Sequence, residues 1–350
     1  MGDFVINWSS IILVLAVVAA IAVCFALAAT KPGYSTPLAI MLPIAMIFGL
    51  VAGRIIHWYC RTDQYKSFAH AFADFSVGGF SLIGIVIGCL FAALIIWLLG
   101  LAPSIGKLLD IFAPGAALAI ALGRLSFLFN YADRGKVFIE NEANRHLPIG
   151  SAIINVSSGA TEWRFATFFI QALIAAAIFV LLLIVFFYLP GLLLKNGKPS
   201  NGMTFLIFTV IFFSTEILMD STRYDALFLR SNGFVSLMQI FAAVMIVAAF
   251  AYLSVRSVKF NRLKAYHIII WVIYLASLGV AGYMEYYVQR HGNLYMFSYT
   301  LMGAGLVVSI LCAAIMMATI LRRAEKLAPS EGTPDVLPEE SEENTEETAE

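Results

Sequence analysis

The residues with the clearest potential for chemistry lie in positions 123–145, where a long apolar run gives way to charge. Arg124 ends that run, and a charge at such a depth is costly unless it reaches the interface, forms an ion pair or binds a ligand. A guanidinium can donate two parallel hydrogen bonds to one phosphate, so Arg124 is a candidate phosphate-binding residue. The alternative is an interfacial anchor whose long side chain lies along apolar surface.

A second candidate group lies near the end of another apolar run. Glu216 and Asp220 are four residues apart, so they share one face of a helix, and Arg223 follows three residues after Asp220. Two interpretations are open. The acids could form structural ion pairs, with Arg124 or Arg223 as the partner of Glu216, or one of them could act as a general base.

The elements that position these residues follow from a composition typical of membrane proteins. Hydrophobic residues make up 61% of the 350 residues and charged residues 13%, against about 45–50% and about 25% in soluble domains. The formal net charge of zero hides two opposed parts, because residues 331–350 hold nine acids and no Lys or Arg. Residues 1–330 hold 22 basic and 13 acidic residues. The sequence therefore predicts a membrane protein with a basic body and an acidic tail.

Nine stretches approach the roughly 20 apolar residues that a transmembrane helix needs. They are residues 10–30, 37–57, 80–100, 111–129, 165–189, 203–220, 234–254, 265–288 and 297–321. We predict an all-α, polytopic integral membrane protein with about nine transmembrane helices. We expect a transmembrane core over residues 1–254, two additional helices in residues 255–325, and a disordered acidic tail over residues 326–350.

The distribution of basic residues predicts the orientation, since Lys and Arg are enriched in short cytoplasmic loops. One side has eleven, from Lys31 to Lys326, and the other has five when the long segment 124–164 is left out. We therefore expect an outside N-terminus and a cytoplasmic C-terminus. Segments 124–164 and 220–233 then share the outer face.

The segment VGGFSLIGIVIGCL, residues 77–90, opens the third predicted span. Gly84 and Gly88 have the spacing of small residues that lets two helices approach closely, which favours a packing role. The alternative is a backbone that approaches a lipid phosphate or glycerol.

The sequence provides no sign of other ligand classes. The five histidines show no spacing typical of a metal site, so we predict no metal and no cofactor. No segment matches a nucleotide-binding glycine loop, a serine-nucleophile elbow or a nucleic-acid module, so we expect no nucleic-acid partner.

The order of these segments resembles the prolipoprotein diacylglyceryl transferase family, over roughly residues 40–253. GRLSFLFNYADRGK resembles the family's GRxGNFxNxExxG signature through Gly123, Arg124, Asn130 and Gly135. VGGFSLIG resembles a Gly-Gly-x-Ser-x-x-Gly signature through Gly78, Gly79, Ser81 and Gly84. Three shorter matches are Arg54 in LVAGRIIHWY, Asp220 and Arg223 in ILMDSTRYD, and Ser236, Met238 and Gln239 in GFVSLMQ.

The resemblance implies an enzyme of the bacterial inner membrane. It would move a diacylglyceryl group from phosphatidylglycerol to the cysteine thiol of a lipoprotein precursor, so the expected partners are that phospholipid and those precursors. The expected catalytic residues are Arg124, Glu216 and Asp220. The expected lipid- or phosphate-binding residues are Arg54, Gly78, Gly79, Ser81, Gly84, Asn130, Gly135 and Arg223. In a second scheme the arginines alone lower the pKa of the substrate thiol.

Several positions differ from the family pattern. Leu82, Phe127 and Ala132 stand where the family has histidine, asparagine and glutamate, and Phe165, Phe212 and Glu216 stand where it has histidine, tyrosine and arginine. A lipid-binding or accessory membrane protein on the same scaffold is therefore one alternative. Another is a transporter that uses Glu216 and Asp220 as a proton or cation path.

Overall fold

The computed structural model describes residues 7–73, 79–130, 133–136, 150–154, 161–193, 201–229, 234–291 and 294–326, and most of these residues are helical. The helices are α1 (Trp8–Ala29), α2 (Ser35–Cys60), α3 (Phe68–Ala73), α4 (Leu82–Leu98), α5 (Ile105–Leu125), α6 (Thr167–Leu193), α7 (Met203–Thr222), α8 (Leu237–Asn261), α9 (Ala265–His291) and α10 (Tyr295–Lys326). The strands β1 (Gly150–Ile154) and β2 (Thr161–Phe165) form an antiparallel pair.

The predicted membrane architecture is confirmed in kind. Within the described ranges, eight helices are long and apolar enough to cross a membrane. The stretch 80–100 forms the shorter apolar helix α4, of 17 residues. The protein is therefore an all-α, multi-pass membrane protein, whereas the count of nine spans and the orientation stay predictions. The β1–β2 pair lies in a segment that hydropathy indicated only as a polar loop.

Helix α5 begins earlier than hydropathy indicated, at Ile105 instead of residue 111, and Pro114 lies inside it. The reason is Asp110, a charge that interrupts the apolar pattern. Its carboxylate is buried and accepts hydrogen bonds from the backbone nitrogens of Gly202, at 2.8 Å, and Phe205, at 3.0 Å. Because these N–H groups belong to the first turn of α7, the acid satisfies donors that have no partner within the helix.

The candidate residues collect at one face of the bundle, which we call the site face. It is the face where the C-terminal ends of α5 and α7 meet the N-terminal ends of α6 and α8. Backbone hydrogen bonds join these ends: Gly135 donates to Phe165 at 2.6 Å, and Leu237 donates to Leu227 at 2.7 Å.

The two C-terminal helices pack on the rest of the bundle. Helix α10 contacts α7, α8 and α9, and Met302 and Leu306 of α10 lie in the same buried cluster as Phe213 of α7. The division into a core over 1–254 and two additional helices stays a prediction. The tail beyond residue 326 lies outside the described residues.

Glycines let α2 and α4 approach each other closely. A Cβ atom added at Gly84 would overlap the backbone of Gly53, and one added at Gly88 would overlap the backbone of Gly49. Ser81, which precedes α4, donates its backbone N–H to the Gly53 carbonyl at 3.0 Å. These contacts favour the packing interpretation of the Gly84 and Gly88 spacing.

We expect Gly84→Ala to lower the thermal unfolding midpoint in detergent, because backbone atoms of α2 cannot move aside as a flexible side chain would. The expected cost is about 1–3 kcal/mol. The matched control is Gly279→Ala in α9, where an added Cβ meets nothing within 4 Å. Helix propensity makes that change neutral or stabilising, by up to about 1 kcal/mol. Equal midpoints for the two variants would contradict the close packing of α2 and α4.

Candidate functional site

Arg124 lies in the last turn of α5, and two carboxylates hold its guanidinium. Its Nη2 donates to Oε1 of Glu216 at 2.9 Å, and its Nη1 donates to Oδ2 of Asp133. The Arg124 side chain is 10% exposed, whereas both acids are almost fully buried. Of the two predicted partners of Glu216, Arg124 and Arg223, the structure shows Arg124 in the ion pair.

Glu216 ties three helices together. Both of its carboxylate oxygens accept hydrogen bonds from Nε2 of Gln171, on α6, at 3.1 Å, in addition to the bond from Arg124 on α5. The residue is 2% exposed. A buried carboxylate is tolerated when charged and polar donors surround it in this way.

Arg223 follows α7 directly and forms the second centre of positive charge. Its Nε lies 2.6 Å from Oδ1 of Asp133, and its Nη2 lies 3.0 Å from Oδ1 of Asp225. Asp133 thus bridges the guanidiniums of Arg124 and Arg223. We call these residues, together with Glu216 and Asp220, the ion-pair cluster: Arg124, Asp133, Glu216, Asp220, Arg223 and Asp225.

Asp220 links the ion-pair cluster to α8. Oδ2 of Asp220 accepts a hydrogen bond from the Ser236 hydroxyl, and its Oδ1 lies 3.4 Å from Nη1 of Arg223. Ser236 is also the N-cap of α8, since its hydroxyl oxygen accepts from the backbone nitrogen of Gln239 at 3.1 Å. The matched Ser-Met-Gln segment therefore holds the start of α8 against the end of α7.

The short segment 133–136 is fixed by its backbone. Asp133 has a left-handed φ of 60°, and its N–H donates to Oδ2 of Asp225 at 3.0 Å. The Asp133 carbonyl accepts from Phe168 at 3.2 Å. Lys136 donates its N–H to Thr222 at 2.8 Å. The segment 133–136 is therefore bonded to the start of α6 and to the end of α7.

Electrostatic interactions keep the exposed side of the ion-pair cluster charged. Burial alone would raise the pKa of Asp225, but the Arg223 guanidinium and the N–H of Asp133 hold that pKa below its ordinary value. Burial alone would lower the pKa of Arg223, and Asp133, Asp225 and Asp220 raise it instead. Four carboxylates face two guanidiniums. A bound phosphate must therefore displace a carboxylate or use a neighbouring cation.

Two other arginines, from the segment 124–164, make contacts within the protein. Arg134 donates from Nη2 to the Asn130 carbonyl at 3.1 Å and lies 4.2 Å from the centre of the Phe168 ring. Arg164 lies 4.0 Å from the centre of the Tyr224 ring. Both are buried. Such contacts are typical of guanidiniums that organise a site from within.

Arg54 and the first glycine signature form a separate group. Arg54 is 1% exposed and donates to the backbone carbonyls of Ala71, at 2.6 Å, and Gly79, at 2.8 Å. Gly79 has a φ of +84°, a conformation that other residues rarely adopt. These contacts hold α2 to Ala71 of α3 and to Gly79, two residues before Ser81. Gly78 lies outside the described residues, as do Ala132 and Arg145.

The remaining predicted residues take different positions. Asn130 donates from Nδ2 to the Ser9 hydroxyl at 2.9 Å, which ties the loop after α5 to α1. Gly135 adjoins the ion-pair cluster through its backbone, because it pairs with Arg223 in an isolated β-bridge. A Cβ at Gly135 would press against Phe165. Gly135 therefore allows a close approach of two backbones.

Sequence reasoning missed Asp133, Gln171 and Asp225 as site residues. Asp133 lay inside the recognised signature, and Asp225 lies two residues after Arg223, so proximity to known arginines was an available signal. No local pattern indicated Gln171, because its contact with Glu216 joins residues 45 positions apart. Among the residues that the structure describes, no group of three His, Cys, Asp or Glu side chains could hold a metal ion.

The comparison with known protein families finds a match that includes every residue of the ion-pair cluster. The family model described as prolipoprotein diacylglyceryl transferase matches residues 1–255, from before α1 to within α8. No curated protein matches the chain. The resemblance found in the sequence signatures is thereby confirmed. This match spans well over half of the 350 residues, so the chain belongs to the prolipoprotein diacylglyceryl transferase family and has a function of that type.

Proposed function

We propose that the protein transfers the diacylglyceryl group of phosphatidylglycerol to the cysteine thiol of a lipoprotein precursor, at the outer surface of the bacterial inner membrane. Family membership supports a membrane transferase of lipoprotein biosynthesis that acts with a lipid partner. The donor lipid, the acceptor and the membrane are the proposed details.

The observation that carries the proposal is the convergence of Arg124 and Arg223 on Asp133. The two guanidiniums come from the ends of α5 and α7, and their side chains keep 10% and 18% of their surface exposed. Donors that are positioned before the substrate binds stabilise charge that develops during the reaction. Here that charge is on the phosphate of the leaving group.

The reaction needs one substitution at carbon. The thiol sulfur forms a bond to the glyceryl carbon, the bond from that carbon to the phosphate oxygen breaks, and the electron pair stays on the departing glycerol phosphate. The thiol proton passes to a base. We assign the phosphate to Arg124 and Arg223, and the proton to Glu216 or Asp220, which lie within the same ion-pair cluster.

The remaining assigned residues build the surroundings of this site. Ser81 and Gly84 hold α4 against α2, and we propose that Gly78 and Gly79 contribute to lipid binding. Arg54 supports this role by holding the carbonyls of Ala71 and Gly79. Asn130 and Gly135 hold the loop that supplies Asp133.

The proposed orientation places the site face outside the cytoplasm. The basic residues of the short connections are concentrated at the opposite face, eleven against five, which favours a cytoplasmic location for that opposite face. A lipoprotein precursor that has crossed the membrane would then meet the ion-pair cluster from the outside.

Removing Arg124 should affect both stability and activity. Arg124→Gln leaves Glu216 without a charged partner and removes one of the two guanidiniums that hold Asp133, so we expect the free energy of unfolding to fall by about 3–5 kcal/mol. The double variant Arg124→Gln/Glu216→Gln restores part of this loss. Its lipidation rate on a precursor peptide should be about 10²-fold or more below that of Glu216→Gln alone. Equal rates for a stable double variant and for Glu216→Gln would show that Arg124 has a structural role only.

Amide substitutions of Glu216 and Asp220 test which of the two acids accepts the thiol proton. We expect Glu216→Gln or Asp220→Asn to lower the lipidation rate by about 10²-fold or more, because an amide cannot take the thiol proton. Asp63→Asn is the matched control, since Asp63 is exposed and lies outside the ion-pair cluster. If both Glu216→Gln and Asp220→Asn kept full activity, neither acid would be the base.

The orientation can be tested by cysteine labelling in intact cells. Gln64 and Lys264 are both exposed and lie at opposite faces, beyond the C-terminal end of α2 and just before α9. A membrane-impermeant maleimide should label Gln64→Cys and should label Lys264→Cys only after the cells are permeabilised. The parent protein, with its four native cysteines, gives the background. The reverse labelling pattern would place the site face in the cytoplasm.

A further inference from the structure

Glu285 is a buried acid that the site described so far does not use. It lies on α9, beyond the matched residues 1–255, and is 3% exposed. Its Oε1 accepts a hydrogen bond from Nε2 of Gln289 at 2.8 Å. Its Oε2 is buried and has no hydrogen-bond partner among the described residues. A buried carboxylate oxygen without a donor is costly, so this atom is suited to a donor that a ligand brings.

The position of Glu285 is beside the end of α7. Its charge acts on the Lys136 ammonium and on Tyr299. Lys136 is bonded through its N–H to Thr222, and the Tyr299 hydroxyl donates to the Ser221 carbonyl at 3.4 Å. The Ser221 hydroxyl is likewise buried without a partner in the described chain. Polar atoms without partners therefore gather where α7, α9 and α10 meet, next to the ion-pair cluster.

Lys136 differs from the arginines of the site face. Arg124 and Arg223 are held by carboxylates, whereas the Lys136 ammonium has no hydrogen bond or ion pair within the described ranges. Burial lowers the pKa of Lys136, and the charges of Glu285 and Asp220 act in the opposite direction. Lys136 is thus a cation available to an incoming anion, and it needs no internal carboxylate to be displaced.

We propose that Lys136 and Glu285 form a headgroup subsite, in which Lys136 binds the phosphate of the donor lipid together with Arg124 and Arg223, and Oε2 of Glu285 accepts a hydrogen bond from a hydroxyl of the headgroup. The inference rests on the proposed function and deepens it. It assigns α9 a role in choosing the lipid. The ligand class is a phosphodiester whose alcohol carries a further hydroxyl, such as glycerol.

The buried acceptor of the subsite discriminates between headgroups. Glu285 would attract an ammonium headgroup while Lys136 would repel it, so these two charge effects oppose each other. An alkyl headgroup without a hydroxyl would leave Oε2 of Glu285 unpaired in a buried site. Sites built to bond a hydroxyl reject analogues that lack it, because the buried acceptor then remains unsatisfied.

The test compares two lipids of equal charge and similar size, phosphatidylglycerol and phosphatidylpropanol, which lacks the headgroup hydroxyls. The full chain is reconstituted with a cysteine-containing precursor peptide, and the lipidated peptide is quantified. We expect the wild type to prefer phosphatidylglycerol. Glu285→Gln, which keeps the shape and loses the anionic acceptor, should lower this preference by about tenfold. Ser277→Ala, a buried change on the same helix, is the control.

A second variant tests whether Lys136 binds the phosphate. Lys136→Gln should lower the transfer rate from both lipids by about tenfold or more, because the phosphate is common to them. Lys259→Gln, an exposed lysine near the end of α8 at the opposite face, is the control. A wild-type rate in Lys136→Gln would overturn the assignment of the phosphate to Lys136.

Three outcomes separate this inference from the proposed function. If the wild type transfers equally well from both lipids, the subsite is wrong and the transferase function stands, whatever the stability of the variants. An unchanged preference in a folded Glu285→Gln has the same meaning. If the wild type transfers from neither lipid, the proposed function fails. Native mass spectrometry then tests the subsite alone, and equal retention of both lipids by the wild type would overturn it.

Discussion

The structure depends on the neutralisation of two guanidiniums at the ends of membrane-length helices. Arg124 and Arg223 are largely buried, and carboxylates from three different segments neutralise them. Asp133 comes from a loop, Glu216 from α7, and Asp225 from the chain beyond α7. Each ion pair therefore also fixes one helix end relative to another. The chemistry of the site and the assembly of the bundle rest on the same contacts.

The membrane architecture could be predicted because hydropathy is a local property. Apolar runs gave the helices and their approximate ends, and failed where a buried charge interrupts the run, as Asp110 does at the start of α5. An arginine partner for Glu216 was predicted because few partners exist within a membrane for a buried acid, whereas the choice of Arg124 over Arg223 came from the structure. Gln171 and Glu285 could not be foreseen in the same way. Their importance follows from which helices pack together, and neither residue stands in a recognisable spacing.

Glu216 changes the charge of the site relative to the family pattern. It stands where the family pattern has arginine, and it accepts hydrogen bonds from both Arg124 and Gln171. A cation at this position would have repelled Arg124, whereas the acid neutralises it. The consequence is that guanidiniums which could face a phosphate directly are engaged internally. Lys136 has no such partner among the described residues, which is why we propose it as a cation that meets the anionic lipid.

The backbone contacts of residues 133–136 limit how the length of this loop can change during evolution. Asp133, Gly135 and Lys136 are each bonded to a different segment of the bundle, at Phe168, Phe165 and Thr222. An insertion or deletion between Asp133 and Lys136 would put at least one of these bonds out of register. Length variation among relatives should therefore be rare in these four residues, because it would also move Asp133 relative to the two guanidiniums that it bridges.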